Sequence, residues 1–148
     1  MKSTKRGFTL IELMVVVILI GIVTTITIYG LRQSRLKADD AAVESYAVQI
    51  PSVIATAIPG DFFSTDGAHW ITCGDGLFGE NETVASLIAS AAQYSSDNPE
   101  CGAEGNNYAI SFELKGMSGY EYCVDARGFK GVQEEQHGDS QWYCQPNE

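Results

Sequence analysis

Histidine is nearly missing from this chain. His69 and His137 are the only two among 148 residues. His69 adjoins Trp70 and His137 lies in an acidic loop, so neither joins a catalytic constellation, and neither enzymatic activity nor a cofactor is expected. Basic residues are also scarce, with nine Lys+Arg against 19 Asp+Glu and a net charge of -10. Phosphate contacts need Lys and Arg, so nucleic acid is not an expected partner. The four cysteines show no Cys-x-x-Cys or Cys/His spacing, which argues against zinc. Two loops are rich in carboxylates: Asp66, Asp75, Glu80 and Glu82, then Asp125, Glu134, Glu135 and Asp139. Neither has EF-hand spacing, so both read as solvated acidic surface rather than calcium sites, and no metal is expected. Asn81-Glu82-Thr83 is a glycosylation triplet of a kind common by chance.

Charge is wholly absent from residues 13–31. As a helix that stretch is about 28 Å long, close to the ~30 Å hydrocarbon core of a bilayer. Its many β-branched residues are mediocre helix formers in water. In lipid the backbone has no other partner than itself, so a membrane helix is expected. A cleaved secretory signal would need a small-x-small site after the run. The sequence there is Tyr29-Gly30-Leu31-Arg32-Gln33-Ser34, which has none. The rest of the chain differs in character. Residues 38–148 hold three basic and 18 acidic residues. A basic, apolar N-terminus is thus joined to an acidic, soluble remainder.

One acid interrupts the apolar N-terminus. Glu12 sits five residues into the run that begins at Phe8, and an ionisable residue in a membrane helix is functional by default. Gly7-Phe8-Thr9-Leu10-Ile11-Glu12, after a short leader with Lys2, Lys5 and Arg6, resembles the class III signal of type IV pilins and pseudopilins. The resemblance is residue for residue over the motif, firm over residues 1 to about 35, and only architectural beyond. It implies that a prepilin peptidase cuts after Gly7, that the new Phe8 amine is N-methylated, and that the apolar run is kept. A buried charge is tolerable only when paired. Glu12 is therefore expected to pair with the Phe8 amine of a neighbouring subunit and to set register. Many pilins carry a proline within the membrane half. This chain has Gly21, Thr24, Thr25 and Gly30 there, and the two glycines are where any loosening of the helix is expected.

The expected organisation is a cleaved leader over 1–7, a transmembrane and assembly helix over 8–31, its amphipathic continuation over 32–58, and a globular domain over 59–148. Arg35 and Asp39 stand at i, i+4, which reads as a solvated face or as an inter-subunit bridge. Ala42, Tyr46, Ile50, Val53 or Ile54, and Ala57 form an apolar stripe. Pro51 should kink or weaken the helix, and Pro59-Gly60-Asp61 should end it, giving about 76 Å in all. A helix is expected over 83–94. Strands are expected over 108–114, 120–125 and 129–133, with a short one at 141–144 and turns at 116–119 and 126–128. The fold class is α+β: one long helix packed on a small antiparallel sheet, as in the pilin-like roll.

Cys73, Cys101, Cys123 and Cys144 all follow the span, and an even number in a small domain points to two disulfides among three possible pairings. Cys73–Cys101 with Cys123–Cys144 is favoured, the second resembling the disulfide-bounded loop common in pilins. Three basic residues flank each end of the span, so charge does not decide orientation. Disulfides place the domain outside the cytoplasm, with the N-terminus cytoplasmic. The expected function is a structural subunit of a type IV pilus, anchored first in the inner membrane and then part of a homo-oligomeric extracellular fibre. Its partners are prepilin peptidase and the pilus or secretion assembly machinery. Two alternatives stand beside it. A pseudopilin of a type II secretion system shares the N-terminus, but its core is usually not disulfide-stapled. A minor pilin could act as a tip adhesin through Trp70 and Trp142, or as a DNA-binding module through Lys115, Arg127 and Lys130. Three cations against 18 acids make the DNA case thin.

Overall fold

The structure, a computed structural model, describes residues 7–57, 69–71, 73–74, 78–79, 81–104, 107–135 and 144–145. Residues 1–6, the expected helix stop at Pro59-Gly60-Asp61 and positions 141–143 of the expected last strand lie outside them. So do Asp66, Asp75, Glu80, His137, Asp139 and Trp142. The chain divides into two compact units, Met1–Arg35 and Leu36–Glu148.

The first unit is helical. α1 spans Leu10–Ala47 and enters the second unit as well. Its aliphatic side chains from Leu10 to Leu31 are exposed. Among the described residues this is the one helix long and apolar enough to cross a membrane. The hydroxyls within the run are turned back onto the backbone. Thr24 donates to the Ile20 carbonyl at 2.7 Å, Thr25 to Gly21 at 2.9 Å and Thr27 to Val23 at 3.0 Å. The threonines therefore add no unpaired polar group to a segment meant for lipid. The helix is continuous through Gly21 and Gly30, where loosening was expected. Without water to take up a freed carbonyl, the intact hydrogen-bond ladder outweighs the low helix propensity of glycine.

The second unit is α+β. α1 stops at Ala47, and α2 resumes over Ile50–Ala57. The single 76 Å helix is thus two pieces. Pro51 has no N–H for the Ala47 carbonyl and its ring crowds that position, so the ladder breaks one turn ahead of it. Gln49 N closes a tighter turn on Tyr46 O at 3.2 Å, and Lys130 Nζ donates to the Val48 carbonyl at 3.2 Å. The buried stripe is Val43, Ala47, Ile50 and Ile54, with Tyr46 and Val53 beside it. It is centred one residue from the expected position. α3 covers Glu82–Ala92 and buries Val84, Ile88 and Ala91. It starts where it does because the Asn81 side-chain oxygen accepts from Thr83 N and Val84 N, an N-cap that satisfies two otherwise unpaired amides.

Five antiparallel strands follow one another in sheet order: β1 His69–Ile71, β2 Glu100–Glu104, β3 Asn107–Glu113, β4 Tyr120–Asp125 and β5 Lys130–Glu134. β3, β4 and β5 match the expected strands to within a residue or so. β1 and β2 were not expected. Cys144 and Gln145 form no strand. The β3–β4 and β4–β5 turns use Gly119 at φ +79° and Gly128 at φ +92°, conformations that other residues rarely adopt. Register sets Cys101 against Ile110, Ile110 against Val124, and Phe112 against Tyr122. Alternation then sends Tyr108, Ile110, Phe112, Tyr122 and Val124 into the core shared with the helices. The opposite face carries Ser111, Glu113, Glu121, Cys123, Asp125 and Gln133. On β4 both faces are buried, because Cys144 and Gln145 reach back across it.

Candidate functional site

The N-terminal motif forms a compact local structure. Thr9 precedes the first residue of α1, and its amide and hydroxyl both donate to Glu12 Oε2, at 2.9 and 2.7 Å. Glu12 N donates in return to Thr9 Oγ1 at 3.4 Å. This is a capping box, in which each side chain satisfies the other residue's orphan amide at a helix start. Phe8 is 85% exposed. In the uncleaved chain its nitrogen is a peptide nitrogen and carries no charge. The cationic partner expected for Glu12 exists only once the bond after Gly7 is cut. The Thr9-x-x-Glu12 spacing was visible in the sequence as a capping box, but Thr9 was not singled out.

The disulfides are Cys73–Cys101 and Cys123–Cys144, separated by 28 and 21 positions. The second belongs to a denser arrangement. Asp125 has a side chain with no solvent exposure. Its Oδ1 accepts from Arg127 N at 3.0 Å and Phe129 N at 2.9 Å. Its Oδ2 accepts from Arg127 Nε and Nη2, both at 3.1 Å, and from Cys144 N at 3.2 Å. Arg127 Nη2 also donates to the Cys144 carbonyl at 2.8 Å. Beside it, Gln133 accepts from Gln145 N at 2.7 Å and donates to Glu121. Burial raises the Glu121 carboxyl above the ordinary range; hydrogen bonds from Gln133 and Ser111 work against this, and the charges of Glu100 and Glu135 reinforce it. Tyr108 is pushed up to about 12, first by burial and then by the Asp125 charge.

The other candidates resolve differently. Asp125 spends its oxygens on N–H donors, so it offers nothing to calcium. Among the described residues no three acidic, histidine or cysteine side chains are grouped to hold a metal. Glu82 lies in the first turn of α3. The backbone of His69 and Trp70 pairs with Ala103 and Gly102 in the sheet. Asn81 of the glycosylation triplet is committed to its cap. Asp39 meets Lys115 Nζ at 3.4 Å rather than Arg35. Its neighbour Asp40 accepts from Gly116 N at 3.1 Å through both oxygens. The i, i+4 spacing lost here to a tertiary partner on the β3–β4 turn. All three domain cations, Lys115, Arg127 and Lys130, are therefore held within the chain.

A family model described as the prokaryotic N-terminal methylation motif matches residues 2–28. The type II secretion system core protein G of Klebsiella michiganensis is 32% identical over 76 residues, covering 51% of this chain and 49% of that protein. The core protein G of Escherichia coli is 32% identical over 73 residues, with shares of 49% and 46%. That of Dickeya chrysanthemi is 30% identical over 77 residues, with shares of 52% and 46%. The chain thus spans about half the length of the curated relatives it matches. No solved structure matches it significantly. The chain thus carries the prokaryotic N-terminal methylation motif, is similar over about half its length to type II secretion system core protein G, and joins an apolar helix to a disulfide-bonded α+β domain in the manner of the pilin-like fold.

Proposed function

We propose that this chain is a structural filament subunit, without catalytic role, that builds a type IV pilus. Prepilin peptidase removes residues 1–7 at the inner membrane and the Phe8 amine is methylated. The domain lies outside the cytoplasm, and the subunit polymerises through its N-terminal helix. The observation that carries this reading is α1: an exposed apolar helix that begins at the processing motif and continues into a folded domain. In the fibre, Glu12 exchanges its contacts with Thr9 for the charged Phe8 amine of a neighbour. A buried pair of this kind fixes register more than it adds stability.

The second reading is a pseudopilin, favoured by the names of the relatives, each a type II secretion system core protein. Mass spectrometry of sheared, purified surface filaments separates the two. Filaments composed mainly of this chain, starting at methylated Phe8 with oxidised cysteines, support the pilus. A processed chain found only in membranes, together with lost secretion on deletion, supports the pseudopilus. Glu12→Ala is expected to leave the subunit in the membrane while filament yield falls at least about tenfold. Normal yield would refute the pairing role.

A further inference from the structure

Three cations follow the apolar run within two helical turns: Arg32, Arg35 and Lys37. All three are exposed. Among the described residues none of them has an ion-pair partner. The acids nearest in sequence do not neutralise them, because Asp39 is taken by Lys115 and Asp40 by the Gly116 amide. A membrane protein gains nothing in orientation from cations on the exported side of its span. Their placement therefore calls for another reason.

Helical geometry narrows it. At about 100° per residue, Arg35 lies about 60° to one side of Arg32, and Lys37 about 140° to the other. The three form a collar around α1 rather than a stripe along it. A protein partner reads one face of a helix, whereas a lipid headgroup layer surrounds it. The collar also has the right depth. It occupies about 7.5 Å of helix axis, against roughly 5–8 Å of headgroup layer on each side of the hydrocarbon core. It begins one residue after the uncharged stretch ends. Beyond Lys37 the chain carries 18 acidic residues and three basic ones, all three engaged.

We propose that Arg32, Arg35 and Lys37 form a binding collar for anionic phospholipid headgroups on the domain side of the membrane. The collar sets the depth at which the subunit waits and holds an otherwise acidic domain against a like-charged surface. Extraction into a filament breaks these contacts. The proposal rests on the membrane-span reading of α1.

The test uses the full chain in vesicles of equal parts phosphatidylglycerol and phosphatidylcholine, with spin-labelled versions of each lipid as probes. Each surface cation contributes up to roughly fivefold in attraction for anionic lipid. The wild type is expected to immobilise phosphatidylglycerol at least about threefold over phosphatidylcholine at low salt, and less at high salt. Lys2, Lys5 and Arg6 at the other end of the span attract the same lipid by the same rule, so the comparison is made in a K2Q/K5Q/R6Q background: there the preference should persist, and adding R32Q/R35Q/K37Q should abolish most of it. Adding R32K/R35K instead should keep it. Equal association of the two lipids with the wild type or with K2Q/K5Q/R6Q would overturn the proposal. So would a preference unchanged by adding R32Q/R35Q/K37Q, including the case in which those substitutions lower only filament yield, which would assign the cations to a neighbouring subunit. Resistance to alkaline extraction, measured in parallel, identifies failure of the span reading itself.

Discussion

Replacing Asp125 by alanine removes the acceptor for five donor contacts at once. The Arg127 guanidinium is half exposed and turns to water at little cost. The amides of Arg127, Phe129 and Cys144 are less free to do so. The Cys144 amide is fully buried and tied in place by the disulfide. An unsatisfied buried amide costs about 1–3 kcal/mol, and breaking a buried charged pair about 3–5 kcal/mol. The first figure, applied fully to Cys144 and partly to the other two, gives a loss of about 3–5 kcal/mol. Urea unfolding of the full chain in detergent, followed by tryptophan fluorescence, should then show a midpoint lowered by roughly 2 M at an ordinary denaturant slope. Asp125→Asn keeps Oδ1 for two amides but points an NH2 at the Cys144 amide, and should cost about 2–3 kcal/mol. The decisive arm repeats Asp125→Ala in a C123S/C144S background. Without the disulfide the Cys144 segment peels away and hydrates, so the penalty should shrink by about 1–2 kcal/mol. A midpoint that hardly moves, or a penalty identical in both backgrounds, would refute the claim that Asp125 and the disulfide act on one segment.

Glu121→Gln should stabilise the domain at neutral pH. Burial raises the folded-state carboxyl above its unfolded value, so stability at this site is present at low pH and lost as pH rises through the folded pKa. Thermal melts across pH should therefore show mutant and wild type converging in acid and separating towards neutrality; the opposite order would sink the argument. Asn81→Ala should cost about 1 kcal/mol through the lost cap of α3, whereas Asn81→Asp should retain stability, both read as melting temperatures. Gly116→Ala places a Cβ against the Asp40 carboxylate and should cost about 1–2 kcal/mol. Asp40→Ala in the same background should add little, which a double-mutant cycle checks.

The parts of this protein legible in its sequence are those ruled by one-dimensional constraints. A lipid core sets a length and forbids unpaired backbone, so residues 13–31 declare themselves. β3 and β4 announce themselves through large alternating side chains, and Gly119 and Gly128 mark the turns that set off β4 and β5. β2 offers only Glu-Cys-Gly-Ala-Glu, with no large apolar residue to alternate, and exists because its neighbours supply hydrogen-bond partners on both sides. Local spacing suggested Arg35 for Asp39, and only the fold could reveal Lys115 as its partner. The same holds for Asp125, which looked like one acid of a loop. Its burial depends on Cys144, 19 positions away.

The disulfides also have a mechanical meaning. In the filament proposed above the subunit would carry load, and an unfolding domain lengthens by about 3.3–3.6 Å for each residue released. Cys73–Cys101 and Cys123–Cys144 bypass 28 and 21 positions. Together they withhold roughly 170 Å of contour from any pull on the chain. Tension can peel strands and tear hydrogen bonds, but it cannot pay out these two loops. An oxidised subunit is therefore a short-travel element, which stiffens where a reduced one would run on.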